Sequence, residues 1–119
     1  MNLNECYASL GGSLEEVLGR LVSQRLVVKF LRKFPEDTSF SSLRAALAGG
    51  DLDTAFRCAH NLKGLCLNLG FPNLLQSSSA LTEALRPGTP YLQAQVDALM
   101  AQTALDYSKV CDTIARLEE

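Results

Sequence analysis

The segment with the clearest potential for chemistry is residues 59–64, which contain the single histidine of the chain, His60. Lys63 and Gly64 follow it by three and four positions, so the three residues are neighbours on the surface of a helix. An unperturbed imidazole is largely neutral and nucleophilic near pH 7. A lysine ammonium one turn away can reach an anion that the ring carries. This combination suits a reaction in which the histidine ring attacks an electrophile.

A helical projection places His60 on the outer surface of its helix. Successive residues lie about 100° apart around a helix. Six residues then fall within one arc that must face a core: Leu52, Ala55, Ala59, Leu62, Cys66 and Leu69. His60 lies about 130° from the centre of this arc and therefore points outward. Gly64 shares the outward face, and Lys63 lies on the adjoining flank.

Gly64 is the most informative of the three residues, because a glycine inside a helix costs about 1 kcal/mol relative to alanine. At an outward position, core packing gives no reason for a missing side chain. Its absence leaves space for another molecule to approach His60. From the residues alone an alternative stays open, in which His60 is an ordinary solvated histidine near a lysine.

The elements that must position these residues are helices, because apolar residues recur at intervals of three and four along the chain. A short helix is predicted over residues 2–10. Ser13 followed by Glu16 is a capping-box pattern that begins a second short helix. We expect three residues of the first helix to cover one end of the bundle: Leu3, Tyr7 and Leu10.

The next two predicted helices form one interrupted arm. The first runs over about residues 23–34 and has Leu26, Phe30 and Phe34 on one side, with Val27 and Leu31 beside them. Pro35 breaks it, because proline disfavours the helical conformation in the preceding residue. The pattern restarts near Phe40 and ends at Gly49-Gly50.

Three longer helices follow. Asp51 is a good N-cap for the helix that contains His60, and Gly70 is a typical C-cap residue. The next helix is predicted over residues 72–86. Pro90 is expected to open the last helix, and the apolar seam of that helix comprises Leu92, Val96, Leu99, Thr103, Tyr107, Val110, Ile114 and Leu117.

These elements predict an all-α fold, an antiparallel up-down four-helix bundle with short N-terminal capping helices. The length suits one domain, residues 1–119, with the bundle core over about residues 23–117. We expect a monomer, because an outward histidine must stay accessible.

Composition argues against several classes of protein. The 11 basic and 13 acidic residues give a net charge of −2, and there is no tryptophan, so neither a basic field nor a stacking platform for nucleic acid is indicated. The densest apolar stretches are far shorter than the roughly 20 residues of a membrane span. The N-terminus lacks the basic and apolar regions of a secretory signal. We therefore expect a cytoplasmic protein.

The four cysteines, Cys6, Cys58, Cys66 and Cys111, form no C-x-x-C pair. Cys58 and Cys66 are eight residues apart on one predicted helix, a rise of about 12 Å, which is too far for one disulfide or one metal ion. We interpret the cysteines as free thiols and expect no metal and no cofactor of the chain's own.

The stretch AHNLKGLCLNLG resembles the signature of histidine-containing phosphotransfer (HPt) domains. That signature is a histidine, then lysine and glycine at three and four residues on, then a later glycine that ends the helix. His60, Lys63, Gly64 and Gly70 match it one by one. The resemblance extends over the predicted bundle and includes Leu74 and Leu81 of the next helix.

The resemblance implies a phosphocarrier in a two-component phosphorelay. His60 would accept a phosphoryl group through Nε2, Lys63 would offset its charge, and Gly64 would allow access. The expected partners are response-regulator receiver domains and a hybrid sensor histidine kinase, with Mg²⁺ supplied by the receiver. The chain has no ATP-binding motif, so it is not expected to be a kinase.

The resemblance also points to further residues around His60. Four are candidates for docking: Phe56, Arg57, Asn61 and Leu67. Phe56 and Leu67 could equally be flank residues of the core, and Arg57 could be a solvated charge. Thr82 matches the position of a polar residue that orients the imidazole in many relatives, although it is shorter than the usual glutamine and could be a surface threonine. Two rival interpretations are a docking module that accepts no phosphate and an adaptor bundle in which His60 is incidental.

Overall fold

The computed structural model describes residues 1–118, and all regular structure within them is helical, as predicted. Their helices are α1 Leu3–Ser9, α2 Leu14–Leu21, α3 Gln24–Lys33, α4 Ser39–Ala48, α5 Leu52–Leu69, α6 Pro72–Leu85 and α7 Gln93–Ala115, with a 3-10 turn at Phe34–Glu36 between α3 and α4. Residue 119 of the predicted domain lies outside the described residues.

Helix α5 is central to the packing. It contacts α4 on one side and α6 on the other, and α6 in turn contacts α7. The face that α5 buries carries mostly small or medium side chains, which allow its neighbours to approach closely: Ala55, Ala59, Leu62, Cys66 and Leu69. Five of the six residues of the predicted inward arc are therefore in the core. Leu52, the sixth, is 36% exposed because it lies in the first turn.

Both ends of α5 are stabilised by the groups that the sequence suggests. The Asp51 carboxylate accepts a hydrogen bond from the backbone N–H of Thr54 at 3.2 Å. Hydrogen bonds with the side chain and then the backbone of Thr54 lower the pKa of Asp51. At the other end Gly70 adopts a left-handed conformation with φ of 75°, and its N–H donates to the Cys66 carbonyl at 2.9 Å.

The last carbonyl groups of α5 are bound by side chains of α1 and α2. The buried Tyr7 hydroxyl donates to the Leu69 carbonyl at 2.7 Å. The Arg20 guanidinium donates to the carbonyls of Leu67 at 2.9 Å and Asn68 at 3.2 Å. Since the final carbonyls of a helix lack partners within the helix, α1 and α2 stabilise the end of α5. Leu3, Tyr7 and Leu10 are buried there, as predicted for a cover.

Five hydroxyl groups are buried on α6 and α7 without being left unpaired. Each donates to a carbonyl about one turn earlier in its own helix: Ser77, Ser78, Thr82, Thr103 and Thr113. A buried hydroxyl with a hydrogen-bond partner avoids most of the desolvation penalty. These positions therefore pack as small side chains would.

The structure differs from the sequence predictions at three places on the surface. Leu26 and Phe30 of α3 are 38% and 39% exposed, because Val27, Leu31 and Phe34 form the buried face. Helix α7 begins at Gln93 rather than Pro90, which leaves Leu92 57% exposed. Ser13 does cap α2, but the reciprocal capping box is found on α1, between Asn2 and Glu5.

Gly70→Ala should destabilise the fold more than Gly50→Ala. Both glycines have positive φ, but a Cβ on Gly70 would lie 2.5 Å from Val17 Cγ2, whereas one on Gly50 would meet nothing within 4 Å. Backbone strain alone predicts a loss of about 1 kcal/mol for Gly50→Ala. Strain plus overpacking predicts about 2 to 4 kcal/mol for Gly70→Ala. Urea unfolding of both variants measures the difference; equal losses would show that α2 does not pack closely on Gly70.

Candidate functional site

His60 lies in the middle of α5 with its side chain exposed to solvent. Gly64 is one turn further along, and a Cβ built on it would meet no heavy atom within 4 Å outside the backbone of its own helix. The space beside the imidazole is therefore open, and no packing contact of the fold requires a glycine there. This is the arrangement that the helical projection predicts.

Lys63 is half-buried on the flank of α5 that faces α6. Its charge reaches the carboxylate of Glu83 on α6, where it helps to lower the pKa of that group. The ammonium is thus close enough to α6 to interact with Glu83, and its residue lies one turn from His60. It can offset negative charge on a group bound to the ring.

Phe56 contacts His60 from the preceding turn. The two ring centroids are 6.2 Å apart with an interplanar angle of 41°. The phenyl ring is partly buried against the core. The guanidinium carbon of Arg86, at the end of α6, lies 5.1 Å from the centroid of the same ring, a cation–π contact. Phe56 therefore packs on the core, as one of the two interpretations predicted, and it also borders the histidine, so its role in docking stays a prediction.

Glu83 and Arg86 form an ion pair beside this cluster. The Arg86 Nε and Nη2 atoms donate to the two carboxylate oxygens of Glu83 at 3.0 and 2.7 Å. These hydrogen bonds are the main cause that lowers the pKa of Glu83, and electrostatic interactions with Arg86, Lys63 and then His60 add to the shift. The same bonds and the charge of Glu83 raise the pKa of Arg86.

Thr82, the residue predicted either to orient the imidazole or to lie on the helix surface, is fully buried. The surface interpretation is wrong, because α6 packs this position into the protein. Its hydroxyl donates to the Ser78 carbonyl at 2.6 Å. The hydroxyl proton is therefore engaged within α6, and only the oxygen lone pairs could accept a further hydrogen bond.

The other predicted docking residues are spread around the exposed surface of α5. Leu67 is 56% exposed. Asn61 is exposed, and so is Arg57, whose guanidinium donates to the Thr54 hydroxyl at 3.2 Å. Arg57 thus interacts within its own helix, one turn before His60.

All four cysteines are free thiols; Cys6 and Cys66 are buried, and Cys58 and Cys111 are half-buried. Burial raises the pKa of Cys66 to about 12, and a hydrogen bond with Ser78 opposes the shift in part. Within residues 1–118, no group of three or more metal-ligating side chains could bind an ion. No helix in this part of the chain is long and apolar enough to span a bilayer.

Sequence reasoning missed Glu83 and Arg86. Their spacing of three within a predicted helix indicates an ion pair, but nothing in the sequence says that this pair faces His60. That relation depends on which face α6 turns towards α5. Because Thr82 is buried, the next residue, Glu83, lies at the edge of the contact between the two helices.

Comparison with known proteins supports the same family. A family profile described as the Hpt domain matches residues 25–106, more than half of the chain. Searches of curated proteins and of solved structures found no match. Hpt domains act in histidine phosphotransfer within phosphorelays, interact with receiver domains and kinases, and are phosphocarriers rather than kinases. On its motif, its helical fold and this match, the chain belongs to the Hpt domain family.

Proposed function

We propose that the chain carries a phosphoryl group on His60 between receiver domains of a two-component phosphorelay. The observation that best supports this role is the exposed ring beside the open space at Gly64, with Lys63 one turn away. A nucleophile that must meet an aspartyl phosphate on another protein needs this access. A histidine of purely structural value would not need a glycine beside it.

The chemistry follows from these groups. Nε2 of His60 attacks the phosphorus of a receiver's aspartyl phosphate, the P–O bond to the carboxylate breaks, and the aspartate leaves as a carboxylate. Phosphoryl transfer depends mainly on in-line positioning and on neutralising the charge of the equatorial oxygens. Lys63 supplies part of that charge. The receiver supplies Mg²⁺ with its own ligands, and the return step to a second receiver uses the same path in reverse.

The docking surface for the receiver centres on Gly64. Leu67 and Phe56 border it with apolar surface, and Asn61 and Arg57 add polar groups. Burying the exposed part of Leu67 would add hydrophobic stabilisation of the complex.

We also propose a topology, an oligomeric state, a location and an upstream partner for the chain. The arm of α3 and α4, together with α5, α6 and α7, forms an antiparallel up-down four-helix bundle, and the whole chain is one domain. The protein acts as a monomer in the cytoplasm, and a hybrid sensor histidine kinase is the upstream source of phosphate. The competing role is a docking module that binds a receiver without accepting phosphate.

His60→Gln should abolish phosphorylation and leave the fold intact, because the side chain is exposed. Incubation with a phosphorylated receiver, followed by intact mass measurement, should show one acid-labile phosphate on the wild type and none on the variant. The free energies of unfolding of the two proteins, measured by urea titration, should agree to within about 0.5 kcal/mol. An unphosphorylated wild type across a panel of receivers from the same genome would instead favour the docking module.

Lys63→Ala should slow phosphoryl transfer about ten-fold, because a cation near the phosphoryl oxygens is lost. The matched control is Lys109→Ala, which removes the same charge from an exposed position of α7. Rapid-quench measurement of the transfer rate compares the two variants. Equal rates for both would contradict the role of Lys63.

Gly64→Gln should block transfer by filling the space beside His60, while Gly64→Ala should have a smaller effect. Both should raise the free energy of unfolding, by about 1 kcal/mol for alanine, since the fold leaves room for the side chain. In the glutamine variant the affinity for the receiver should therefore fall, while the free energy of unfolding should rise. A glutamine variant that binds and transfers normally would place the docking surface elsewhere.

A further inference from the structure

Glu83 is the acidic residue of α6, and two intervening side chains connect it to the histidine. A chain of contacts connects it to the ring: Glu83 binds Arg86 at 2.7 Å, Arg86 lies 5.1 Å from the centroid of Phe56, and the Phe56 and His60 centroids are 6.2 Å apart. Both members of the ion pair are about half exposed, with side-chain exposures of 47% for Arg86 and 58% for Glu83. They can therefore rearrange at small cost.

Near the ring, acidic side chains other than Glu83 are lacking on α4 and α5. Helix α4 contains no acidic residue, and the acid of α5, Asp53, lies two turns before His60. Lys63 and Arg86 are the cations that interact with Glu83, which also interacts with His60. A third cation, Arg57, lies one turn before His60 and donates to the Thr54 hydroxyl. The Glu83 carboxylate opposes negative charge added to the ring and competes with that charge for Lys63 and Arg86.

We propose that Glu83 is a positioning residue that sets the energy of phosphorylated His60: it binds Arg86 in place of the phosphoryl group and repels that group, so it favours onward transfer. The inference rests on the proposed function. In the step concerned, the P–Nε2 bond breaks, its electron pair returns to Nε2, and a P–O bond forms to the receiver's aspartate. Nδ1 keeps its proton, and the imidazole ends neutral.

Arg86 is a cation that either Glu83 or the phosphoryl group on His60 can bind. In the unphosphorylated chain its guanidinium is bound to the Glu83 carboxylate and lies over Phe56. Once His60 carries a phosphoryl group, the two anions compete for it, and a guanidinium binds phosphate oxygens with two parallel hydrogen bonds. Removing Glu83 leaves Arg86 free to bind the phosphoryl group.

The test measures how a phosphoryl group distributes between the full-length chain and one receiver domain at equilibrium. The variants are Glu83→Gln and a control, Asp112→Asn, which removes one exposed carboxylate from the far part of α7. The Glu83 variant should move the equilibrium towards His60 by roughly three- to ten-fold at low salt, and less at 0.5 M salt because of screening. The control should match the wild type. Circular dichroism checks that each variant folds.

A double-mutant cycle tests the part played by Arg86. Arg86→Gln should remove more phosphate from His60 in the Glu83→Gln background than in the wild-type background, because only there is the guanidinium free. Equal effects in both backgrounds would overturn this part of the proposal.

The outcomes separate this inference from the proposed function. If phosphoramidate, a chemical phosphodonor, and phosphorylated receivers all fail to label wild-type His60, the proposed function itself is wrong. If the wild type is labelled but Glu83→Gln behaves as Asp112→Asn does, or moves phosphate away from His60, only the role of Glu83 is overturned.

Discussion

The site depends on the fixed rotation of α5 about its own axis. One face of this helix is buried in the core and carries Ala55, Ala59, Leu62 and Cys66, so the opposite face is exposed to solvent. His60 and Gly64 lie on that opposite face because of where they fall in the repeat. A slip of one residue would turn the imidazole by about 100°. The ends of the helix prevent this slip, with Asp51 at the start and Gly70, Tyr7 and Arg20 at the finish.

This constraint explains why stability and function use different residues of one helix. Gly70 is a glycine that the fold requires, because both its backbone angle and the approach of Val17 exclude a side chain. Gly64 is a glycine that the fold does not require, because the surrounding space is open. The short helices α1 and α2 serve the first purpose by binding the last carbonyls of α5. Their distance from His60 leaves the exposed face to a partner.

Much of the fold could be predicted because its signals are local. Asp51, Gly70 and the interval of apolar residues determine the bounds of α5 without reference to other helices. Predictions failed where a local pattern allowed more than one rotation or start. Both Leu26 and Val27 lie on apolar positions of α3, and only packing decides that Val27 is buried. Pro90 is a good helix start, yet residues 90–92 lie outside the helix and Leu92 has an extended backbone.

The residues of the candidate site also divide into those that local spacing predicts and those that only helix packing determines. His60, Lys63 and Gly64 share one helix, so their relation could be predicted from spacing alone. The relation of Glu83 and Arg86 to the ring requires the packing of α6 on α5, which no single helix encodes. The burial of Thr82 belongs to the same contact, since its hydroxyl is satisfied within α6 and so can enter the core.

The central claim is that Nε2 of His60 carries the phosphoryl group. The chain contains one histidine, so protein labelled with ¹⁵N in the histidine ring has a single pair of ring nitrogen signals. After phosphorylation by a receiver, nuclear magnetic resonance should show a one-bond coupling between phosphorus and Nε2, with Nδ1 uncoupled. Coupling to Nδ1, or a phosphorylated protein whose ring nitrogens show no coupling at all, would contradict the account.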